Sequence, residues 1–102
     1  MNSFKKKIAA IIDFQQRGYN QDFMLGNKHL ICVQNHELVA PDDFEINEIL
    51  RFEHSSRLSK SYVMCAISSV HQDLKGILVL SLDTFALDLS IHLRSKLSPL
   101  FD

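Results

Sequence analysis

From Tyr19 to Leu82 one β-forming run follows another, and no helix-length segment separates any two of them. This order limits the fold more than any other feature of the chain. Parallel neighbours need a crossover of a dozen or more residues, usually a helix, whereas antiparallel neighbours need only a turn. The runs are Tyr19–Leu25, His29–Val33, Leu38–Ala40, Phe44–Glu53, Tyr62–Ser69 and Gly76–Leu82. Gly26-Asn27, Gln34-Asn35 and Pro41-Asp42-Asp43 supply turn chemistry between the early runs. His54–Lys60 and His71–Lys75 read as loops between the later ones. The three short runs predict a meander, and the last two a hairpin.

A helix brackets this region on each side. Phe4, Ile8, Ile11 and Ile12 share a helical stripe, and Gly18 offers a left-handed stop, which predicts a helix over 4–17. Leu89, Leu93 and Leu97 repeat every four residues behind Asp88, a capping type, with Arg94 and Lys96 at the end and Pro99 beyond. Helix, strands, helix predicts a single α+β domain over 1–102. Its expected form is an antiparallel sheet of four to six strands, with the N-terminal and C-terminal helices packed mainly on one face.

Two strands sit awkwardly with one-sided cover. Tyr62-Val63-Met64-Cys65-Ala66-Ile67 is apolar on both faces, as is Ile77-Leu78-Val79-Leu80 with Leu82 beyond it. A sheet with one wet face alternates apolar and polar residues instead. With both helices on one face, the tail Leu97, Leu100 and Phe101 is too short to cover the other. A second copy related by two-fold symmetry is the expected cover, hence a homodimer.

The formal net charge of -1 carries none of the basic excess of a nucleic-acid binder, so no nucleic-acid partner is expected. Cys32 and Cys65 lie in apolar runs and read as buried thiols, not as a disulfide framework. Lys5-Lys6-Lys7 followed by Ile8–Ile12 resembles the start of a signal peptide, but Asp13 interrupts a stretch that is already short. No run approaches the roughly 20 apolar residues of a membrane span, so the expectation is a cytoplasmic protein with no membrane partner. The three lysines oppose the dipole of their helix and read either as a solvated face or as an anchor for an anionic partner.

One position breaks its local pattern. Along Phe44–Glu53, strict alternation puts Phe44, Ile46, Glu48, Leu50 and Phe52 on one face. Glu48 then stands in the middle of an apolar face. A buried carboxylate there needs a partner, or it titrates high and becomes a candidate acid, base or ligand anchor. A bulge or a structural ion pair would explain it equally. Asp22 and Arg51 are the candidate partners in chemistry.

His29, Cys32 and His36 do not match a zinc pattern, and on a strand the first two diverge, so no metal site is expected. Asp42-Asp43 follows Pro41 and reads as turn capping. Gly18, Gly26 and Gly76 are too scattered for a phosphate loop, and no cofactor is expected.

Arg17-Gly18-Tyr19, Asp22-Phe23, Pro41-Asp42-Asp43-Phe44-Glu45-Ile46, Arg51-Phe52-Glu53, Ala66-Ile67 and Lys75-Gly76 together resemble a family of small bacterial proteins of uncharacterised function. Many members carry the label phosphoribosylpyrophosphate synthetase, and the resemblance runs over nearly the whole chain. A phosphoribosyl-pyrophosphate site of the usual kind has two acidic residues ahead of a Thr- and Gly-containing loop. Here Asp42-Asp43 leads into Phe44-Glu45-Ile46-Asn47, a strand without glycine, so the resemblance transfers no catalytic residue. The expected function is a non-enzymatic interaction or ligand-binding module acting as a homodimer. The alternative is a small enzyme or accessory protein of nucleotide or phosphoribosyl metabolism that uses Glu48 with Asp22 or Arg51.

Overall fold

A computed structural model of the protein describes residues 3–52, 62–81 and 89–101. The expectations placed on Glu53, His54–Lys60 and Leu82, and on the side chains of Phe4, Lys5 and Phe101, lie outside the described residues. Helix α1 spans Ser3–Gln16. Then come β1 (Gln21–Leu25), β2 (Leu30–Cys32) and β3 (Leu38–Val39). A 3₁₀ turn at Pro41–Asp43 leads into β4 (Phe44–Phe52), followed by β5 (Tyr62–Ser69) and β6 (Lys75–Ser81). Helix α2 (Ile91–Leu97) and a 3₁₀ turn at Ser98–Phe101 close the chain. The fold is α+β.

The six strands form one sheet in the order β3-β2-β1-β6-β5-β4. The meander β1–β2–β3 and the hairpin β5–β6 are antiparallel, as turn chemistry predicts. The junction between the two halves differs from the expectation: β1 pairs with β6 in parallel, so the sheet is mixed and mostly antiparallel. No βαβ unit is needed, because β2 to β5 themselves form the excursion between the two partners.

The sheet is curled. Five strand-to-strand steps would set β3 and β4 roughly 24 Å apart in a flat sheet. The stretch from Val39 to Phe44 reaches at most about 18 Å. The edges must therefore curve toward one another, and Val39 and Phe44 meet in one buried cluster. That cluster fills the inner face with Phe23, Leu30, Cys32, Val63, Cys65, Ile67 and Leu78, closed off by Leu89, Leu93, Leu97 and Leu100 from the α2 region. Asp88 lies outside the described residues, and the expected cap there is corrected: Ser90 caps α2, accepting from the Leu93 N–H.

Helix α1 lies on the other, outer face. Phe14 and Tyr19 are buried there with Met64, Ala66 and Ile77, and Ile11, Ala10 and Phe52 pack alongside. The expectation that both helices share one face is therefore corrected: they cover opposite faces. The cause is legible in β5, where Val63, Cys65 and Ile67 point inward and Met64 and Ala66 outward, all of them buried. On β5 the two-sided cover comes from the chain's own two helices, whereas the outward Val79 of β6 stays 39% exposed.

Helix α1 stops by a Schellman arrangement. Gly18 adopts φ 100°, its N–H bonds to the Gln15 carbonyl, and the Tyr19 N–H bonds to the Phe14 carbonyl. The accompanying apolar contact is the edge-to-face pair Phe14–Tyr19, with ring centroids 5.9 Å apart. This stop sets Arg17 at the helix end, facing β4.

Candidate functional site

The register of β4 against β5 decides where Glu48 goes. Ile46 opposes Ile67, but Glu48 opposes Ala66, so one extra residue, Asn47, is accommodated between them. Directly opposed residues share a face, and a bulge reverses the alternation beyond it. Phe44 and Ile46 therefore point inward, Glu48, Leu50 and Phe52 outward, and Ile49 and Arg51 inward. The single apolar face expected across Phe44–Phe52 is corrected into two half-faces, with Asn47 and Glu48 side by side on the outer side.

There Glu48 meets the end of α1. Arg17 donates from Nη1 to Glu48 Oε2, and from Nη2 to Glu48 Oε1 at 3.1 Å. The same Nη2 donates to Asp13 Oδ2 at 2.8 Å. Asn47 Nδ2 donates to the Tyr19 hydroxyl and to Ser68 Oγ, both at 3.0 Å. Lys75 Nζ donates to the Arg17 carbonyl at 3.1 Å and stands 4.4 Å from the Tyr19 ring centroid. The expectation of a buried carboxylate with a raised pKa is corrected on both counts. Glu48 keeps 40% of its side-chain exposure. The Arg17 hydrogen bonds hold its carboxyl below the usual carboxylate range, outweighing partial desolvation, while Arg17 is pushed up in return. A carboxylate already ionised and forked onto a guanidinium suits a latch between α1 and β4, and suits a proton donor poorly.

The other two candidates do not join it. Asp22 is exposed on β1, where Gln34 donates to its Oδ2 at 2.9 Å and accepts from its backbone N–H. Two strands, β6 and β5, separate β1 from β4, a distance of roughly 14 Å. Arg51 points to the inner face and donates from Nη2 to the Pro99 and Leu100 carbonyls, at 2.9 and 3.1 Å, tying the final 3₁₀ turn to β4. Glu48, Asp22 and Arg51 thus serve three separate places.

Cys32 is buried inside, His36 stands in an exposed turn with φ 62°, and His29 lies at the other end of β2, so this trio also diverges. Cys32 and Cys65 are both buried, free thiols. Burial pushes Cys65 up to about 12. Asp42 and Asp43 reach His92 and His71, at 3.2 and 3.4 Å, across the exposed turn.

A second feature of the outer face emerges only from strand order. Met24 opposes Ile31, and Ile31 opposes Leu38. Each alternates with inward residues of the main cluster, so all three point outward. Val79 opposes the outward Met64, and one step beyond the Phe23–Leu78 pair Met24 comes beside Val79. Leu38, Ile31, Met24 and Val79 therefore form an apolar row across four adjacent strands. Leu38 is 54% exposed, Met24 51% and Val79 39%.

Helix α1 borders this row. At about 100° per residue, Ile8 and Ile12 lie about 120° and 160° around the helix from the sheet-facing Phe14, on the side away from Asp13, so Ile8 lies on the flank toward β6 and Ile12 on the crest. These two are 41% and 48% exposed. The signal was present in the alternation of Asp22-Phe23-Met24 and Leu30-Ile31-Cys32, but the row has no continuity until β1 is known to lie beside β6. No helix among the described residues is long and apolar enough to cross a membrane. Among known proteins, the chain matches no family model, no curated protein and no solved structure.

Proposed function

We propose that the chain is a non-enzymatic binding module whose working surface is the uncovered part of the sheet's outer face. The observation that carries this reading is the row Leu38–Ile31–Met24–Val79 with Ile8 and Ile12 of α1 beside it. Isolated exposed apolar side chains are ordinary, but a contiguous set on a rigid sheet marks an interaction surface. Covering the exposed half of each such side chain contributes roughly 1 kcal/mol. Polar groups on the same side support a scaffolding role: the Glu48–Arg17–Asp13 and Asn47–Tyr19–Ser68 contacts are spent on one another and on holding α1 in place. Two buried free thiols are compatible with a reducing compartment such as the cytoplasm.

Met24 and Met64 provide the test. Met24 is half exposed and Met64 is fully buried, so the second is an internal reference for the first. Methionine oxidation by hydroxyl radicals should mark Met24 heavily in the dilute purified chain and only weakly inside cells that express it. Equal labelling of Met24 in both settings would show that nothing covers this face in the cell.

A further inference from the structure

We infer that the occupant of this face is a second copy of the chain, seated by a two-fold axis so that the Ile8–Ile12 side of each α1 rests on the Met24–Ile31–Leu38 strands of the other. The inference rests on the reading of the outer face as a binding surface, and it names the partner.

The first argument is shape. Measured along the curl, six strands span roughly 29 Å at ordinary spacing, and one helix covers about 10 Å of that outer surface. Helix α1 takes the β5–β6 side, through Phe14 and Ile11 against Met64, Ala66 and Ile77. The outer surface is therefore a step, with a helix layer on one side and bare strands on the other. Ile8 on the riser, Ile12 on the crest and Val79, Met24, Ile31 and Leu38 on the tread are apolar. A stepped surface of this kind is complementary to itself, because a two-fold rotation sets each raised helix above the other copy's bare strands.

The second argument is charge. Across a two-fold axis only residues on the axis meet their own copies, and a surface with few charges limits like-charge contacts in any seating. The row and the two isoleucines, Leu38, Ile31, Met24, Val79, Ile8 and Ile12, carry no ionisable group, and the nearest charge on their helical stripe is Lys5, one and two turns earlier. The nearest carboxylate on β1, Asp22, is held by Gln34. The net charge of -1 adds little repulsion between copies. The charged groups of α1's last turns, Asp13 and Arg17, face the opposite way, toward Glu48.

The third argument is area. The bare strands β1, β2 and β3, of five, three and two residues, present about 160 Å², the uncovered end of β6 adds about 50 Å², and the exposed side of a 14-residue helix adds a strip about 21 Å long and about 10 Å wide. Together they make a projected footprint of roughly 400 Å². Corrugation by side chains raises the accessible area toward the roughly 600 Å² per partner at the small end of specific interfaces.

Sedimentation equilibrium of the purified full chain over roughly 1–100 µM is the test. The native chain should fit a monomer–dimer equilibrium. Met24→Lys and Ile12→Asp should each raise the dissociation constant by at least about tenfold, with the far-ultraviolet circular dichroism spectrum retained. Leu38→Lys, at a third position on the surface, replaces either variant that fails to fold. Ile91→Asp is the control, because Ile91 is 81% exposed but lies on α2, against the other face. A native chain that is monomeric throughout overturns the inference, as does a dimer lost with Ile91→Asp and kept with the outer-face variants. Protection of Met24 inside cells combined with a strict monomer in the centrifuge would sink the second-copy assignment and leave the binding reading standing. Absence of that protection would sink both.

Discussion

Gly76→Ala tests the one pairing that turn chemistry does not predict. Gly76 lies opposite Gln21, where β6 and β1 run in parallel. A Cβ built on Gly76 would sit 2.5 Å from the Gln21 carbonyl oxygen, 2.9 Å from its carbonyl carbon and 2.8 Å from Phe23 Cε2. Ordinary contact begins near 3.4 Å, so the two strands would have to part by close to 1 Å at this point. A ladder bond stretched that far is no longer a hydrogen bond. Losing one or two such bonds costs about 0.5–1.5 kcal/mol each, and forcing a methyl into packed backbone costs about 1–3 kcal/mol. The backbone entropy gained on replacing glycine offsets about 0.5–1 kcal/mol. The net expectation is a destabilisation of about 2 kcal/mol. For a domain of this size that lowers the melting temperature by roughly 8–16 °C. Urea and thermal unfolding followed by circular dichroism would measure it. The sign carries the decision. If β6 had no neighbour on this side, alanine would stabilise the strand. A neutral or stabilised Gly76→Ala protein would therefore refute the β1–β6 pairing, and with it the continuity of the outer apolar row.

Two further predictions concern titration. The Cys65 thiol is pushed up by burial from 9.0 to about 12, so the unfolded chain loses its proton first, and stability falls as pH rises between those values. The slope from this group is about 1.4 kcal/mol per pH unit, and Cys65→Ala should unfold with a flatter alkaline limb than the native chain; parallel limbs in urea titrations from pH 9 upward would contradict it. Glu48 behaves in the opposite sense. Its carboxyl is lowered by Arg17, so its contribution is present above the ordinary carboxylate range and fades as pH falls through about 4 and below. Glu48→Gln should melt below the native chain at pH 7 and converge with it on acidification; an unchanged acid limb would show that the Arg17 fork does not survive in solution.

The parts of this fold legible in the sequence are those governed by neighbours along the chain. Gly18 marks the helix stop, Gly26-Asn27 and Gln34-Asn35 separate the strands of the meander, and Leu89, Leu93 and Leu97 mark the helix that seals the inner face. The two-sided burial of Val63–Ile67 was also legible, but its cause was not. The pattern states that both faces of a strand are covered and is silent on what covers them. A second copy and a second helix leave the same imprint, and the chain's own helices on opposite faces turned out to be sufficient.

Glu48 shows why a site is harder to read than a fold. Its anomaly rested on alternation carried unbroken through Phe44–Phe52, and a single extra residue at Asn47 reverses that alternation. The bulge has no glycine or proline to announce it. What it leaves behind is a compromise visible only in three dimensions. Without it, Glu48 would project into the inner cluster beside Phe44 and Ile46, and Leu50 and Phe52 would be drawn inward with it. With it, Phe44 and Ile46 fill the curled interior and Phe52 stacks on Tyr62 at 5.0 Å outside. Glu48 lands within reach of an arginine whose position the Gly18 stop has already set. One local irregularity thus resolves the polar residue and both apolar half-faces together. By anchoring the end of α1 over β4, it also leaves the β1–β3 side of the outer face bare, which is where the apolar row lies.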